Sequence, residues 1–438
     1  MTIAASSPLL AEIDRTRAES PPGTAIALLP WGNVLEDFLD TIGVSLETFC
    51  EKFTGSWMFG YASALRHVGV RTVLICTSSR VTRSQRLSHA PTGATIYLLP
   101  APRMYRALRR ASTVAPPLRH LVPYLSTPAG QLARTLKREG CVAVLCQEYE
   151  YPRFDVSVLL GRWLRIPVFA TFQGGDYQRS RIERYLRPHS VRASAGLIIA
   201  AQTERQRVHA NYQIAPSKIS AIFNPIDLQI WKVTDRRAAR AALRLPPDAL
   251  VVGWHGRVSI RQKGLDVLLD AWERLCQRHQ GRDLRLLLVG TGKDAARLSQ
   301  LVAGMRERNI IWVNQFVHDQ SAVQRHLAAA DVYAFPSRHE GCPVSLLEAM
   351  GCGLPVVAAD ASGVPDILQG GDASGGVIVQ RDNAEQLAAE LSRLLDHEDY
   401  RTTLGLRARV RAESCFGFDV VGRQLHDALV NAAQSSRS

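Results

Sequence analysis

The stretch EGCPVSLLEAMGCGLPVVAAD, residues 340–360, sets two glutamates, Glu340 and Glu348, on either side of a proline and a short apolar run. The apolar spacing after Pro343 predicts a loop that opens into a helix, with Glu340 before it and Glu348 inside it. A carboxylate offers paired hydrogen-bond acceptors, and the vicinal hydroxyls of a ribose or hexose are paired donors. A helix start at the carboxyl end of a strand turns unpaired N–H groups toward an anion. Gly341 permits close approach of backbone to a ligand, and Pro343 is placed to fix the first helical turn. On spacing alone, two readings stand level. One is a clamp on a nucleotide-sugar; the other is an exposed loop acid beside a salt-bridged helix acid.

A second group, GWHGRVSIRQKGLDVLLDAW, places Gly256 and Arg257, then Lys263 and Gly264, between a strand and a helix. A guanidinium grips phosphate in a bidentate fashion and an ammonium acts as a point charge. This pair is the counter-charge a diphosphate would require; surface cations beside a turn are the rival reading. In the first half, TFQGGD carries Gln173 and Asp176 in a glycine-rich turn, and QEYEY carries Glu148 and Glu150. A glutamine can orient a hydroxyl but cannot titrate as a base. The three acids are expected to be structural or to contact a second substrate. LLLVGTGKDAARL imitates a dinucleotide fingerprint, but WVNQF stands where a ribose-binding acid belongs, so that reading is rejected. The sequence has no D-x-D and no H-E-x-x-H, and no metal is expected.

These groups need a scaffold, and the chain offers strands alternating with helices in two series. The first runs from GTAIALLPW through RTVLICTS, TIYLLPAP, CVAVLCQ and PVFATFQGGD to SAGLIIAAQ. Residues 32–49 read as loop-rich. The second series starts after FNPIDLQIW with ALVVGWHGRV and continues through LRLLLVGTG, NIIWVNQFV, DVYAFPS and LPVVAAD. Such alternation predicts parallel sheets covered on both faces. The reading is two Rossmann-like halves joined near 225–235, with a helical tail.

At 438 residues, two or three domains are expected. Apolar content of 46% and charged content of 21% describe a water-soluble globular chain. The N-terminal segment has no cationic stretch before an apolar core and is not expected to be a signal peptide. The eight cysteines include no C-x-x-C pair, so reduced thiols in a cytoplasmic protein are expected. The net charge is +13, and residues 1–225 carry 27 Lys and Arg against 15 Asp and Glu. Residues 52–138 contain no acid at all but include Arg103, Arg106, Arg134, Lys137 and Arg138. Such a one-signed surface attracts anions. Peripheral contact with an anionic membrane through the N-terminal half is the expected use, with no nucleic-acid partner. An Arg-heavy composition solvating an ordinary face is the rival reading.

Taken together, the strand-G-R-x(5)-K-G pattern, LLLVGTG and EGCPVSLLEAMGCGLPVVA resemble the retaining glycosyltransferases of family 4, whose fold is GT-B. RASAGLIIAAQTERQRVHANYQIAPSKISAIFNPID extends the likeness, with Asn224 and Asp227 at the family's N-G-V-D position. The resemblance implies two Rossmann-like domains facing a central cleft. Residues 1–228 would bind the acceptor and residues 229–410 the nucleotide-sugar. Residues 411–438 would form a helix and tail that cross back to the first domain. It also implies that Arg257 and Lys263 hold the donor diphosphate and stabilise the leaving group. Glu340 would bind the donor sugar's hydroxyls and Glu348 the ribose, with Gly256 and the backbone of Gly341, Cys342, Pro343 and Val344 completing the donor site. Gly32 corresponds to a glycine-rich turn near the phosphates, although PWGNVLEDF has a single glycine. Relatives commonly carry Thr-x-His-Gly near the anomeric centre, where this chain has Gln173, with Asp176 and Glu148 as neighbouring acids. The implied activity is metal-independent hexosyl transfer in envelope polysaccharide, glycolipid or related glycan synthesis. A sugar-nucleotide epimerase of the same fold and a non-catalytic sugar-nucleotide or anion-binding module are the alternatives.

Overall fold

The computed structural model describes residues 24–431, apart from residues 31, 56, 112–119, 176–179 and 306–307. Its first half is built on strands β1 (Ala25–Leu29), β2 (Arg71–Ser78), β3 (Gln85–Ser88), β4 (Thr95–Pro100), β5 (Cys141–Cys146), β6 (Val168–Thr171), β7 (Gly196–Ile198) and β8 (Ile219–Ser220). They form one sheet in the order β3-β4-β2-β1-β5-β6-β7-β8, parallel except for β3, which pairs antiparallel with β4. The second half carries β9 (Leu250–His255), β10 (Leu284–Val289), β11 (Ile310–Val313), β12 (Val332–Phe335), β13 (Val356–Ala359) and β14 (Gly376–Val379). These make a parallel sheet in the order β11-β10-β9-β12-β13-β14.

The period-2 geometry of a strand explains why both sheets are covered on two faces. Ile26 and Leu28 enter one core cluster, while Ala25, Ala27 and Leu29 enter the opposite one. In the second sheet Val251 and Tyr333 face one way, and Val252, Trp254 and Val332 the other. Strand order reverses between β1 and β5 and again between β9 and β12. Each reversal opens a crevice at the carboxyl ends of the strands, where ligands of doubly wound sheets bind.

Residues 32–49 depart from expectation. They hold two helices, Leu35–Ile42 and Leu46–Glu51, rather than loop. Leu35 and Leu39 on the first and Phe49 on the second bury into the core, but each helix is too short for its apolar period to be read. The strands β3, β8 and β14 also escaped the sequence reading; each has four residues or fewer.

The long helix Glu398–Cys415 lies on the second half, where Leu404 and Ala408 are buried. The chain then returns to the first half. The helix Phe418–His426 packs on Trp57–His67, and Val421, Leu425 and Leu429 share a core with Ile26 and Leu28. At the crossing, the Ile226 N–H donates to the Phe416 carbonyl at 2.8 Å, beside a bridge between Ile226 and Gly417.

Candidate functional site

The crevice of the second half is framed by the exits of β9 and β12. His255 ends β9 and is followed by Gly256 and Arg257. Lys263 ends the single-turn helix Ile260–Lys263, which Gly264 closes in the left-handed conformation (φ 63°). A side chain at Gly264 would stand 2.0 Å from the Pro336 carbonyl oxygen, so the Lys-Gly turn sits directly against the exit of β12. Lys263 Nζ reaches Glu340 Oε1 at 2.6 Å, and both side chains are largely buried. Arg338 fastens the two loops: it forms a bidentate pair with Asp266 at 2.8 Å and donates to the Arg261 carbonyl. Arg257 is exposed and contacts Gln262 at 3.3 Å.

The helix Val344–Gly351 begins at the same crevice. Pro343 occupies its N-cap with extended torsions (φ −70°, ψ 111°), one position earlier than the first helical turn expected for it. The proline therefore sets the entry of the chain, and the helix N–H groups follow it. One turn inside, Glu348 accepts from His255 Nε2 at 2.8 Å. The His255 ring lies near Trp231 and Tyr333, with centroids 6.4 and 5.5 Å away, and its Nδ1 is buried without a hydrogen bond. The Gly-Thr-Gly turn at 290–292 braces the neighbouring Gly256–Val258 turn, since Val258 N–H donates to the Thr291 carbonyl.

The crevice of the first half lies between the exits of β1 and β5. A small pocket there is lined by Gly32, Gln147, Glu148 and Arg153, among others. Buried Arg153 donates to the carbonyls of Pro30 and Asn33, each at 2.9 Å, and so holds the Gly32 turn in place. Glu148 Oε1 accepts from the Gln173 N–H at 2.9 Å, while its Oε2 is buried and unbonded. Burial, reinforced by the nearby charge of Glu150, raises the Glu148 carboxyl well above the usual range. Glu150 is held by Arg207 at 2.8 Å and leaves its own Oε2 without a partner.

The two crevices meet backbone to backbone. A Cβ on Gly341 would lie 2.4 Å from both the Gln173 carbonyl carbon and the Gly174 nitrogen, so only glycine fits there. His339 Nε2 lies 2.9 Å from the Gly174 carbonyl. Gln173 and Asn224 form a reciprocal amide pair at 3.1 and 2.7 Å. Asn224 also donates to the Cys342 carbonyl at 2.7 Å and, through its N–H, to the Cys342 sulfur. Burial pushes the Cys342 thiol up to about 12, so it serves this contact as a neutral group.

The structure thus brings Lys263 to Glu340, and Glu148 and Gln173 to the loop that carries Gly341 and Cys342. Glu348 joins the same crevice through His255, whereas Asp176 lies outside the described residues. The sequence reading missed His255, Arg338 and Arg153. His255 directly precedes Gly256, and that adjacency was its one available signal. Among the described residues, no group of three or more His, Cys, Asp or Glu is arranged to hold a metal ion.

Comparison with known proteins covers both halves. A model described as "Glycosyltransferase Family 4" matches residues 57–230, and one described as "Glycosyl transferases group 1" matches residues 249–397. A D-inositol 3-phosphate glycosyltransferase of Saccharomonospora viridis is 32% identical over 250 residues, 56% of this chain and 57% of the relative. That of Rhodococcus erythropolis is 32% identical over 238 residues, 53% of each chain. The chain therefore matches little more than half the length of these relatives. In fold it is similar to Anabaena Alr3699/HepE in complex with UDP, with a TM-score of 0.69 and 17% identity over 93% of this chain and all of that one. Sucrose-phosphate synthase from Thermosynechococcus elongatus gives 0.67 and 17% over 95% of this chain and all of that one.

Proposed function

The chain belongs to glycosyltransferase family 4, with the GT-B fold, and on that premise we propose that it transfers a sugar from a nucleotide-diphosphate donor to an acceptor hydroxyl with retention of configuration. The observation that carries this reading is the pairing of Lys263 with Glu340 at the exit of β12, beside the start of the helix Val344–Gly351. An ammonium has three donors, so Lys263 can keep Glu340 and still reach a phosphate oxygen. Lys263 and Arg257 are assigned to the diphosphate and to the charge that develops on it, which serves the leaving group without a metal ion. Glu340 takes the hydroxyls of the donor sugar. Glu348, oriented by His255, takes those of the ribose.

The first crevice, residues 1–228, receives the acceptor. A protonated Glu148 can donate a hydrogen bond there, and Gln173 is committed to Asn224 instead of acting as a base. As the glycosidic bond to the diphosphate breaks, the acceptor oxygen bonds to the same face of the anomeric carbon. Its proton passes to the departing phosphate oxygen. The close contact of the two crevices at Gly341 excludes water and limits donor hydrolysis. UDP-glucose in complexes of the Anabaena relative and the inositol phosphate in the names of the curated relatives suggest the classes of donor and acceptor to try first. The eight free thiols support a reducing, cytoplasmic setting. No described helix is long and apolar enough to cross a membrane. The excess of cations in the first half supports peripheral contact with an anionic membrane.

The test is nucleotide release from UDP-, GDP- and ADP-sugars, with and without a cell-envelope extract. Acceptor-dependent release from one donor, lost in Lys263→Ala and Glu340→Ala proteins that remain folded, is the expected result. Donor conversion without acceptor would mean epimerisation, and binding without turnover would mean a non-catalytic module.

A further inference from the structure

Three helices lie side by side on one face of the first sheet: Ala129–Arg138, Pro152–Leu164 and Arg181–Ala193. Their inner residues, among them Leu132, Leu136, Phe154, Val158 and Val191, fill a single core cluster. Their outer surface is unusual in two respects.

First, the three most exposed large apolar side chains described in the protein are here: Trp163 (74%), Leu159 (73%) and Tyr185 (72%). Leu159 and Trp163 are one helical turn apart on the middle helix, so they share a stripe. Lys137 of the first helix sits over the Trp163 ring at 5.7 Å. Second, among the described residues the exposed charges of these helices and their ends have one sign. Arg134 and Lys137, Arg162 and Arg165, and Arg181 and Arg184 are all exposed. The carboxylates within these helices face elsewhere. Asp155 is buried against Arg187 at 3.0 Å, and Glu183 is tied into the capping box of Ser180.

A soluble face of this size ordinarily mixes both signs of charge and hides tryptophan. Aromatic and aliphatic side chains ringed by Lys and Arg suit the headgroup level of an anionic bilayer. There the rings sit at the interface and the cations meet phosphate. Nucleic acid would satisfy the cations but would give Leu159 no partner. We propose that the outer face of these three helices docks the protein on an anionic lipid surface, with Leu159, Trp163 and Tyr185 inserted at the interface. This rests on the membrane contact proposed above and gives it a location. That location also revises the expectation that the acid-free segment 52–138 is the membrane-binding part: only Arg134, Lys137 and Arg138 of that segment belong to the face.

The experiment is sedimentation of the full chain with vesicles of phosphatidylcholine alone or with 30% phosphatidylglycerol (about 30%, a charge density within reach of polybasic surfaces). It compares wild type, Leu159→Ser/Trp163→Ser and Arg162→Glu/Arg184→Glu. Nucleotide release without vesicles, from the donor and acceptor extract that support turnover, serves as the folding and activity control for each variant. The expected result is binding only to the phosphatidylglycerol vesicles, weakened at least tenfold (about tenfold, a few interfacial side chains) in both variants, with basal release unchanged. Wild-type binding that both variants retain would overturn this face while leaving membrane contact standing elsewhere. Absence of wild-type binding to either vesicle would overturn both ideas. Loss in the charge variant but not in the apolar variant would overturn insertion of Leu159 and Trp163.

Discussion

At the exits of β9 and β12, each crevice carboxylate has a nitrogen close by: Glu340 meets Lys263 at 2.6 Å and Glu348 meets His255 at 2.8 Å. At the exits of β1 and β5, Glu148 and Glu150 each bury one oxygen with no hydrogen bond, and among the described residues no cation touches Glu148. Partial burial of a charge is tolerable when a partner and further hydrogen bonds compensate it. An uncompensated carboxyl answers burial by keeping its proton. One fold therefore supports two kinds of acid. The acids of the second half sit against nitrogen donors, Glu340 against Lys263 and Glu348 against His255, and the lysine can be shared with a diphosphate. Glu148 of the first half is pushed by burial toward its protonated form, next to the pocket lined by Gly32.

The sharpest way to break this contrast is at Lys263. Lys263→Ala should lower kcat/KM for transfer by about 10²–10³-fold, the usual cost of removing one group that stabilises transition-state charge. Steady-state nucleotide release measures it, and turnover near wild type would remove the donor crevice from the mechanism.

Gly341→Ala acts where the crevices touch. The new Cβ must displace the backbone of Gln173 and Gly174, which lie 2.4 Å away. Urea unfolding should show a loss of about 1–3 kcal/mol, the range for overpacking, together with reduced transfer. A stable, active variant would mean that the two loops part readily.

His255→Ala should raise the donor KM about tenfold with kcat nearly unchanged, because a hydrogen bond to a charged group contributes about 1.5 kcal/mol. A kcat effect instead would move Glu348 from recognition to chemistry.

Glu148→Gln, the smallest change, mimics the protonated acid and should retain transfer near neutral pH. Its stability signature has a definite sign. The folded carboxyl is raised above its ordinary value of 4.5, so the folded state holds the proton more tightly than the unfolded chain. Stability from this group is complete below that value and declines as pH rises toward the folded value. Thermal melts of wild type and Glu148→Gln should coincide near pH 4 (about one half-unit below the ordinary value), with the variant gaining as pH increases. Parallel curves at every pH would show that Glu148 is ionised and paired after all.

Much of this architecture was legible in the chain. RTVLICTS, CVAVLCQ and DVYAFPS are short apolar runs between turn signals, and each became a central strand of a parallel sheet. The helices Leu35–Ile42 and Leu46–Glu51 were not legible, because eight and six residues leave too little length to measure a period, and tertiary burial of Leu35, Leu39 and Phe49 holds them. The glutamate stretch was read as a loop and helix start, and so it is. Its Pro343 caps the helix from outside because the preceding loop is pinned against Gln173 and Gly174.

What the sequence determined by itself is local: the alternation of strand and helix, the Lys-Gly turn, and the Gly-Cys-Pro approach to a helix. All of these depend on side-chain period and backbone preference within a few residues. The site's partners depend on distance in the chain. Lys263 finds Glu340 across 77 residues, His255 finds Glu348 across 93, and Asn224 joins Gln173 across 51 and Cys342 across 118. No local rule encodes such pairs. Strand order sets them, because reversing the direction of connection at β9 and β12, and again at β1 and β5, gathers the carboxyl ends of distant strands. Which carboxylate meets a cation and which keeps a proton was decided by that gathering.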